Sequence, residues 1–268
     1  MRSRYTVRMR VLITIIILAL VAGCKGGPDN GVVPGSVADV YQQAERSMES
    51  GNYPRAIFIL QQIQNRFPFS NLGRQASVDL IYCYYKSGRT EEAIDAANQF
   101  ARENPTSPLL DYALYIKGLT YFDEEPGRFT KLMGVDRAER PPAENRQALA
   151  TFLRLLDRYP SSDYADDARQ RVLFLKERLA RYENYVADFY LRRGAYVAAL
   201  NRAKQALEQF DGADANLESL KIMATAYDEL NLPELAADTR KVLAENERAR
   251  ELAQRENTFS QAETDTQR

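Results

Sequence analysis

The chain has 268 residues, 45% hydrophobic and 27% charged, with a formal net charge of −1. It contains no histidine, which removes the commonest general base, the usual metal ligand and every Ser-His or Cys-His pair. No GxxxxGK[ST] or GxGxxG phosphate cradle is present either, and no basic excess of the kind nucleic acid requires.

In chain order, the first element is a twelve-residue apolar run, Val11 to Ala22, preceded by Arg2, Arg4, Arg8 and Arg10. A spanning helix needs about 20 apolar residues, so this run has the length of a signal-peptide h-region. It ends in Val21-Ala22-Gly23-Cys24, which resembles the bacterial lipobox, whose cysteine is acylated and becomes the mature amino terminus. Residues 1–23 are therefore expected to be a lipoprotein signal peptide and Cys24 a lipid anchor. Removing those residues moves the formal charge from −1 to −5, because they hold four arginines and no acid. Lys25 after the cysteine suggests, by resemblance to bacterial sorting rules, export to the outer membrane. Residues 24–36 are rich in Gly and Pro and read as a lipidated tether. With Cys24 acylated, Cys83 has no disulfide partner and is expected to be core packing.

From residue 37 onward the chain repeats. SGNYPRAIFILQQIQNRFP (Ser50–Pro68) aligns with SGRTEEAIDAANQFARENP (Ser87–Pro105) at a spacing of 37, matching Gly51 with Gly88, Ala56 with Ala93 and Pro68 with Pro105. A third copy carries Ala148, Phe152, Leu155 and Pro160; a fourth carries Gly194, Ala199, Ala203 and Ala206, with Asp211 in place of proline; a fifth, weaker copy has Tyr227, Asn231, Ala236 and Leu243. The pattern resembles the tetratricopeptide repeat, a helical hairpin whose small residues let helices A and B approach closely. The expected fold is all-α, a superhelix of about five such hairpins. Residues 37–160 hold repeats 1–3, with an insertion at about 123–143 in the third. Residues 161–246 hold a long connecting helix and repeats 4–5, and 247–268 a helix end and disordered tail. The connecting helix is read from 33 residues without Gly or Pro between Pro160 and Gly194.

In such repeats, helix A positions 2, 5, 9 and 12 tend to line the concave groove. Counting from Val37, Arg74 and Asp111, these positions include Tyr41, Tyr82, Tyr85, Tyr112, Tyr115 and Phe122, with Lys86 and Arg89 nearby. Aromatic rings and a cation suit a peptide ending in an aromatic residue and a carboxylate. The same rings serve equally as inter-repeat packing, as Tyr84 and Tyr121 do at position 11. Arg192, Arg193 and Arg202 sit on the edge of the fourth hairpin; Arg193 and Arg202 are the candidate partner-docking residues. The best carboxylate cluster for catalysis, Asp123, Glu124 and Glu125, has the composition of a solvated loop. Catalytic and metal residues, and cofactors, are expected to be none.

NRFPFS, DLIYCYYK, NPTSPLLDYALYIKGL, GVDRAERPP, FLKERLARYE and VADFYLRRGAYVAALNR resemble the BamD (ComL-like) family of tetratricopeptide outer-membrane lipoproteins. The resemblance implies a non-enzymatic protein anchored to the outer membrane, facing the periplasm, that recruits the carboxy-terminal segments of unfolded outer-membrane proteins. It implies docking on the POTRA domains of a BamA-type barrel subunit, contact with other Bam lipoproteins, and no nucleic-acid partner. The alternative is a generic periplasmic tetratricopeptide adaptor lipoprotein for envelope or peptidoglycan synthesis.

Overall fold

The computed structural model describes residues 35–123 and 143–266, with side chains described as far as Arg255. The signal peptide, Cys24, Lys25, most of the tether and of the expected insertion, and Glu124 and Glu125 lie outside the described residues. Ten α-helices and no strand occur among the described residues. They are α1 (Val37–Glu49), α2 (Tyr53–Arg66), α3 (Asn71–Lys86), α4 (Thr90–Glu103) and α5 (Leu110–Asp123). After the gap come α6 (Ala143–Arg158), α7 (Ala165–Arg192), α8 (Tyr196–Gln209), α9 (Asn216–Glu229) and α10 (Pro233–Thr266).

Consecutive helices pack against one another throughout, giving hairpins α1/α2, α3/α4, α5/α6, α7/α8 and α9/α10. Starts are fixed locally. Ser36 and Asp39 form a reciprocal capping box on α1, Asn52 caps α2 ahead of Pro54, and Ser70 accepts from the Gly73 amide at 2.9 Å. The A-to-B turn must pass through left-handed backbone, and Gly51, Gly88 and Gly194 supply it with φ of 72°, 69° and 73°. In the fifth hairpin Asn231 takes the same role at φ 56°.

The small residues sit where the helices meet. Ala56, Ala93, Ala148, Ala187 and Ala199 are fully buried. At Gly118 a methyl group would lie 2.5 Å from the Phe152 ring, so α5 and α6 can meet only over a bare backbone. Helices α1, α3 and α5 also touch side by side, as do α7 and α9, which lays out two runs of A helices.

α7 spans 28 residues, about 42 Å at 1.5 Å per residue. It begins at Ala165 rather than directly after Pro160, because Ser161–Tyr164 form a turn in which the Ala165 amide donates to Ser162 O at 2.9 Å. The carboxy-terminal end also differs from expectation. α10 stays helical through Thr266, past the predicted end of order, since no Gly or Pro follows Pro233 and Ala, Glu, Gln and Arg favour helix. Arg250 pairs with Asp214 at 2.9 Å and Lys221 approaches Glu247 at 3.6 Å, tying α10 back to the fourth and fifth hairpins. No helix among the described residues is long and apolar enough to cross a membrane.

Candidate functional site: a tyrosine and carboxylate band across the A helices

The aromatic residues singled out in the sequence fall on α1, α3 and α5 and form, with α7, a continuous band. At one end the Tyr41 hydroxyl of α1 donates to Asp79 Oδ2 of α3 at 2.6 Å, and Gln75 Nε2 donates to Asp79 Oδ1 at 3.0 Å. Burial pushes the Asp79 carboxyl above its ordinary range, and the two donors only partly oppose it. Tyr82 lies edge-on to Tyr53 of α2 with ring centres 6.2 Å apart. Tyr82 and Tyr85 are half-buried and pack against the cores of both the first two hairpins and the middle of the molecule.

The band continues through Tyr112, 5.4 Å from the Tyr164 ring, to Tyr115, which stacks on Tyr164 at 4.6 Å and 19°. The Tyr115 hydroxyl donates to Asp167 Oδ2 at 2.8 Å, and Arg171 Nε donates to the same oxygen at 2.5 Å. Burial raises the Asp167 carboxyl, but the hydrogen bonds from Arg171 and Tyr115 outweigh it and hold the group below the usual carboxylate range. Burial also raises the Tyr112, Tyr115 and Tyr164 hydroxyls, so all three stay protonated and remain donors at neutral pH. Arg171 lies 4.7 Å from the Phe122 ring, which meets Phe174 at 5.5 Å. Asp111 closes the α5 to α7 seam by accepting from Ser162 Oγ at 2.7 Å.

The predicted cations are placed differently from the rings. Arg89 sits in the α3–α4 turn, paired with Glu92 at 2.8 Å and lying 4.8 Å from the Tyr84 ring. Lys86 is exposed at the end of α3. The groups that accompany the rings are carboxylates, Asp79, Asp111 and Asp167, together with Arg171, none of which the sequence marks as a site residue. Asp79 was accessible from spacing, because it lies one turn before Cys83 on the same helix face.

The two candidate docking arginines also separate. Arg193 caps α7 and lies 4.7 Å from the exposed Phe189 ring. Arg202 instead donates to Glu183 Oε2 at 3.0 Å, while Arg146 of α6 pairs with Glu183 Oε1. Glu183 is fully buried, and its two arginines keep about two-fifths of their side-chain surface in solvent, at 38% and 40%. This triad joins α6, α7 and α8. Among the described residues no group of three or more acids and cysteines is arranged to hold a metal.

A family described as YfiO, outer membrane lipoprotein, matches residues 35–243. The "Outer membrane protein assembly factor BamD" of Neisseria gonorrhoeae is 41% identical over 211 residues, 79% of this chain and 79% of that protein. The protein of the same name in Vibrio cholerae is 36% identical over 240 residues, 89% of this chain and 99% of that one. The chain belongs to the YfiO family of outer membrane lipoproteins, to which the BamD assembly factors are similar across most of its length.

Proposed function

We propose that this chain is a non-enzymatic scaffold and receptor of outer-membrane protein assembly, anchored by acylated Cys24 to the inner leaflet of the outer membrane and facing the periplasm. Client segments lie on the A-helix face of residues 37–160, against Tyr41, Tyr82, Tyr85, Tyr112, Tyr115 and Phe122. The carboxy-terminal hairpins dock on the POTRA domains of a BamA-type barrel subunit, with Arg193 at the contact, alongside other Bam lipoproteins. The observation that carries the reading is the band itself: partly exposed aromatic rings from three successive A helices, in a chain of the assembly-factor family.

Rings offer large contact area at small entropic cost, and each aromatic anchor contributes roughly 1.5 to 3 kcal/mol on burial. Ordering an extended peptide offsets much of that, so micromolar affinity, about 8 kcal/mol, is expected. Such affinity suits a receptor that hands its client on. Lys86, exposed at the end of α3, is the cation left to meet a client carboxylate, since Arg89 is taken up by Glu92.

Affinity purification from outer membranes tests the docking half: a barrel protein with POTRA domains should accompany the chain, and Arg193→Glu should weaken that association. Arg193 is the informative position because reversal of Arg202 would also break the pair with buried Glu183. Recovery of peptidoglycan-synthesis proteins without any barrel subunit would favour the generic adaptor instead.

A further inference from the structure

The α2–α3 turn, Phe67-Pro68-Phe69-Ser70, displays two phenyl rings to solvent. Phe69 is 91% exposed and Phe67 39%, and Phe69 is the most exposed large apolar side chain among the described residues. Solvent-facing rings of this kind mark contact sites when they are built into rigid structure. This turn is rigid. Phe67 O accepts from the Ser70 amide at 3.1 Å and from Ser70 Oγ at 2.9 Å, and Phe69 O accepts from Arg74 Nη1 at 3.0 Å. Gly73 permits the fold-back, since a methyl there would lie 2.0 Å from Phe67 O. Arg66 lies 5.6 Å from the Phe67 ring on the other flank.

The place of the turn says what it meets. Helices α1 and α2 are joined by three residues, Ser50 to Asn52, and so run antiparallel. The end of α2 therefore returns to the level at which α1 begins, where the chain leads back to Cys24, eleven residues before Gly35. Eleven residues reach at most about 40 Å, and about 18 Å as a flexible coil. The other inter-hairpin turns share this edge but carry no exposed ring of comparable size. Their charge changes along the edge: Phe67–Ser70 is flanked by Arg66 and Arg74, whereas the α6–α7 turn carries Asp163 and the α8–α9 turn Asp211 and Asp214, which pair with Lys176 and Arg250. An anionic phospholipid surface attracts the first turn more than the last two.

We propose that the Phe67–Phe69 turn is a second membrane contact, its rings entering the headgroup and acyl boundary of the phospholipid leaflet with Arg66 and Arg74 facing the phosphates. This rests on the anchoring of Cys24 described above. Two weak signals then act together: the acyl anchor sets position, and the turn sets orientation, presenting the A-helix face at a fixed height and angle.

The chain has no tryptophan, so Phe69→Trp installs a single fluorescent reporter. The acylated full-length chain is reconstituted into vesicles of phosphatidylethanolamine and phosphatidylglycerol with brominated acyl chains. The Phe69→Trp chain should show blue-shifted emission and strong quenching, while a Ser161→Trp chain, with its reporter on the α6–α7 turn, should emit as in water and remain unquenched. Co-flotation with the vesicles but equal, water-like emission from both chains overturns the contact and leaves the anchor standing. Failure to co-float overturns both. A reporter at position 69 that shifts only when outer-membrane protein is added assigns the turn to a protein partner and overturns the lipid assignment.

Discussion

Tyr115 donates its hydroxyl to Asp167 at 2.8 Å across the α5–α7 seam, as Tyr41 does to Asp79 at 2.6 Å across the α1–α3 seam. In both cases a tyrosine of one A helix is held by a carboxylate of the next. The bond fixes the ring while leaving part of its face open, which is what a peptide-receiving surface needs. Tyr115→Phe and Tyr41→Phe keep the ring and lose the bond. Each should lower stability by about 1 kcal/mol in urea titrations, with peptide affinity nearly unchanged. Ala at Tyr112 and Tyr115 should reduce affinity for a client carboxy-terminal peptide about tenfold or more. Equal losses from Phe and Ala would mean that the hydroxyls, not the ring faces, are what the peptide uses.

The Asp79 carboxyl gives a pH signature. Burial raises its folded value above the ordinary 3.8, so the folded state holds the proton more tightly than the unfolded state does. The contribution of this group therefore favours folding at pH below 3.8 and is lost as pH rises through the folded value. Asp79→Asn removes the charge and keeps an acceptor for Tyr41. The variant should gain stability relative to wild type at neutral pH, and the gain should shrink as pH falls toward 4, a window set by the ordinary value of 3.8. A stability difference that does not vary with pH would contradict the raised value.

Glu183 predicts strong coupling between hairpins. Removing Arg202 alone leaves Arg146 to satisfy the buried carboxylate, so Arg202→Ala should cost about 2 kcal/mol, moderated by the half-exposure of the arginine. Removing both strands the charge, and the double variant should lose more than the sum of the single losses. Adding Glu183→Gln to the double variant should recover much of that loss. Additive costs in a double-mutant cycle would show that the two arginines act independently.

Cys83 should be silent in the native protein. It is fully buried, and burial pushes its thiol up to about 12, so the thiolate needed for alkylation is scarce at pH 8. A thiol reagent should label the folded acylated chain at neither cysteine and the unfolded chain once, at Cys83. Cys24→Ala should abolish palmitate incorporation. Labelling of Cys83 at native pH without unfolding would place it outside the core.

Local patterns carried most of the fold. Glycine or asparagine at four A-to-B turns, alanine at the close approaches and proline after three of the B helices are constraints a single hairpin imposes on its own residues, and they recur in register. The site was legible only in half. Spacing placed the tyrosines on the A helices, but their partners lie 38 and 52 residues away, and pairing across repeats has no local signal. Arg89 was read as a groove cation, yet its own turn supplies Glu92 three residues on, an i,i+3 pair visible in the sequence. Glu183 carries no motif that singles it out, but its neighbours at one turn, Leu179, Ala180 and Ala187, are the mark of a buried face. The end of α10, expected to lose order after a continued helix past Glu247, stays helical to Thr266, because apolar periodicity reports packing while intrinsic propensity alone can keep a polar stretch helical.

The central claim is that the A-helix face of the amino-terminal hairpins receives unfolded outer-membrane proteins. A photo-crosslinking amino acid at Asp163, exposed beside Tyr164, tests it in growing cells. The account predicts adducts with newly exported barrel proteins that vanish when export is blocked and fall when Tyr112 and Tyr115 are replaced by alanine. Adducts that persist without export, or that are indifferent to both substitutions, would contradict it.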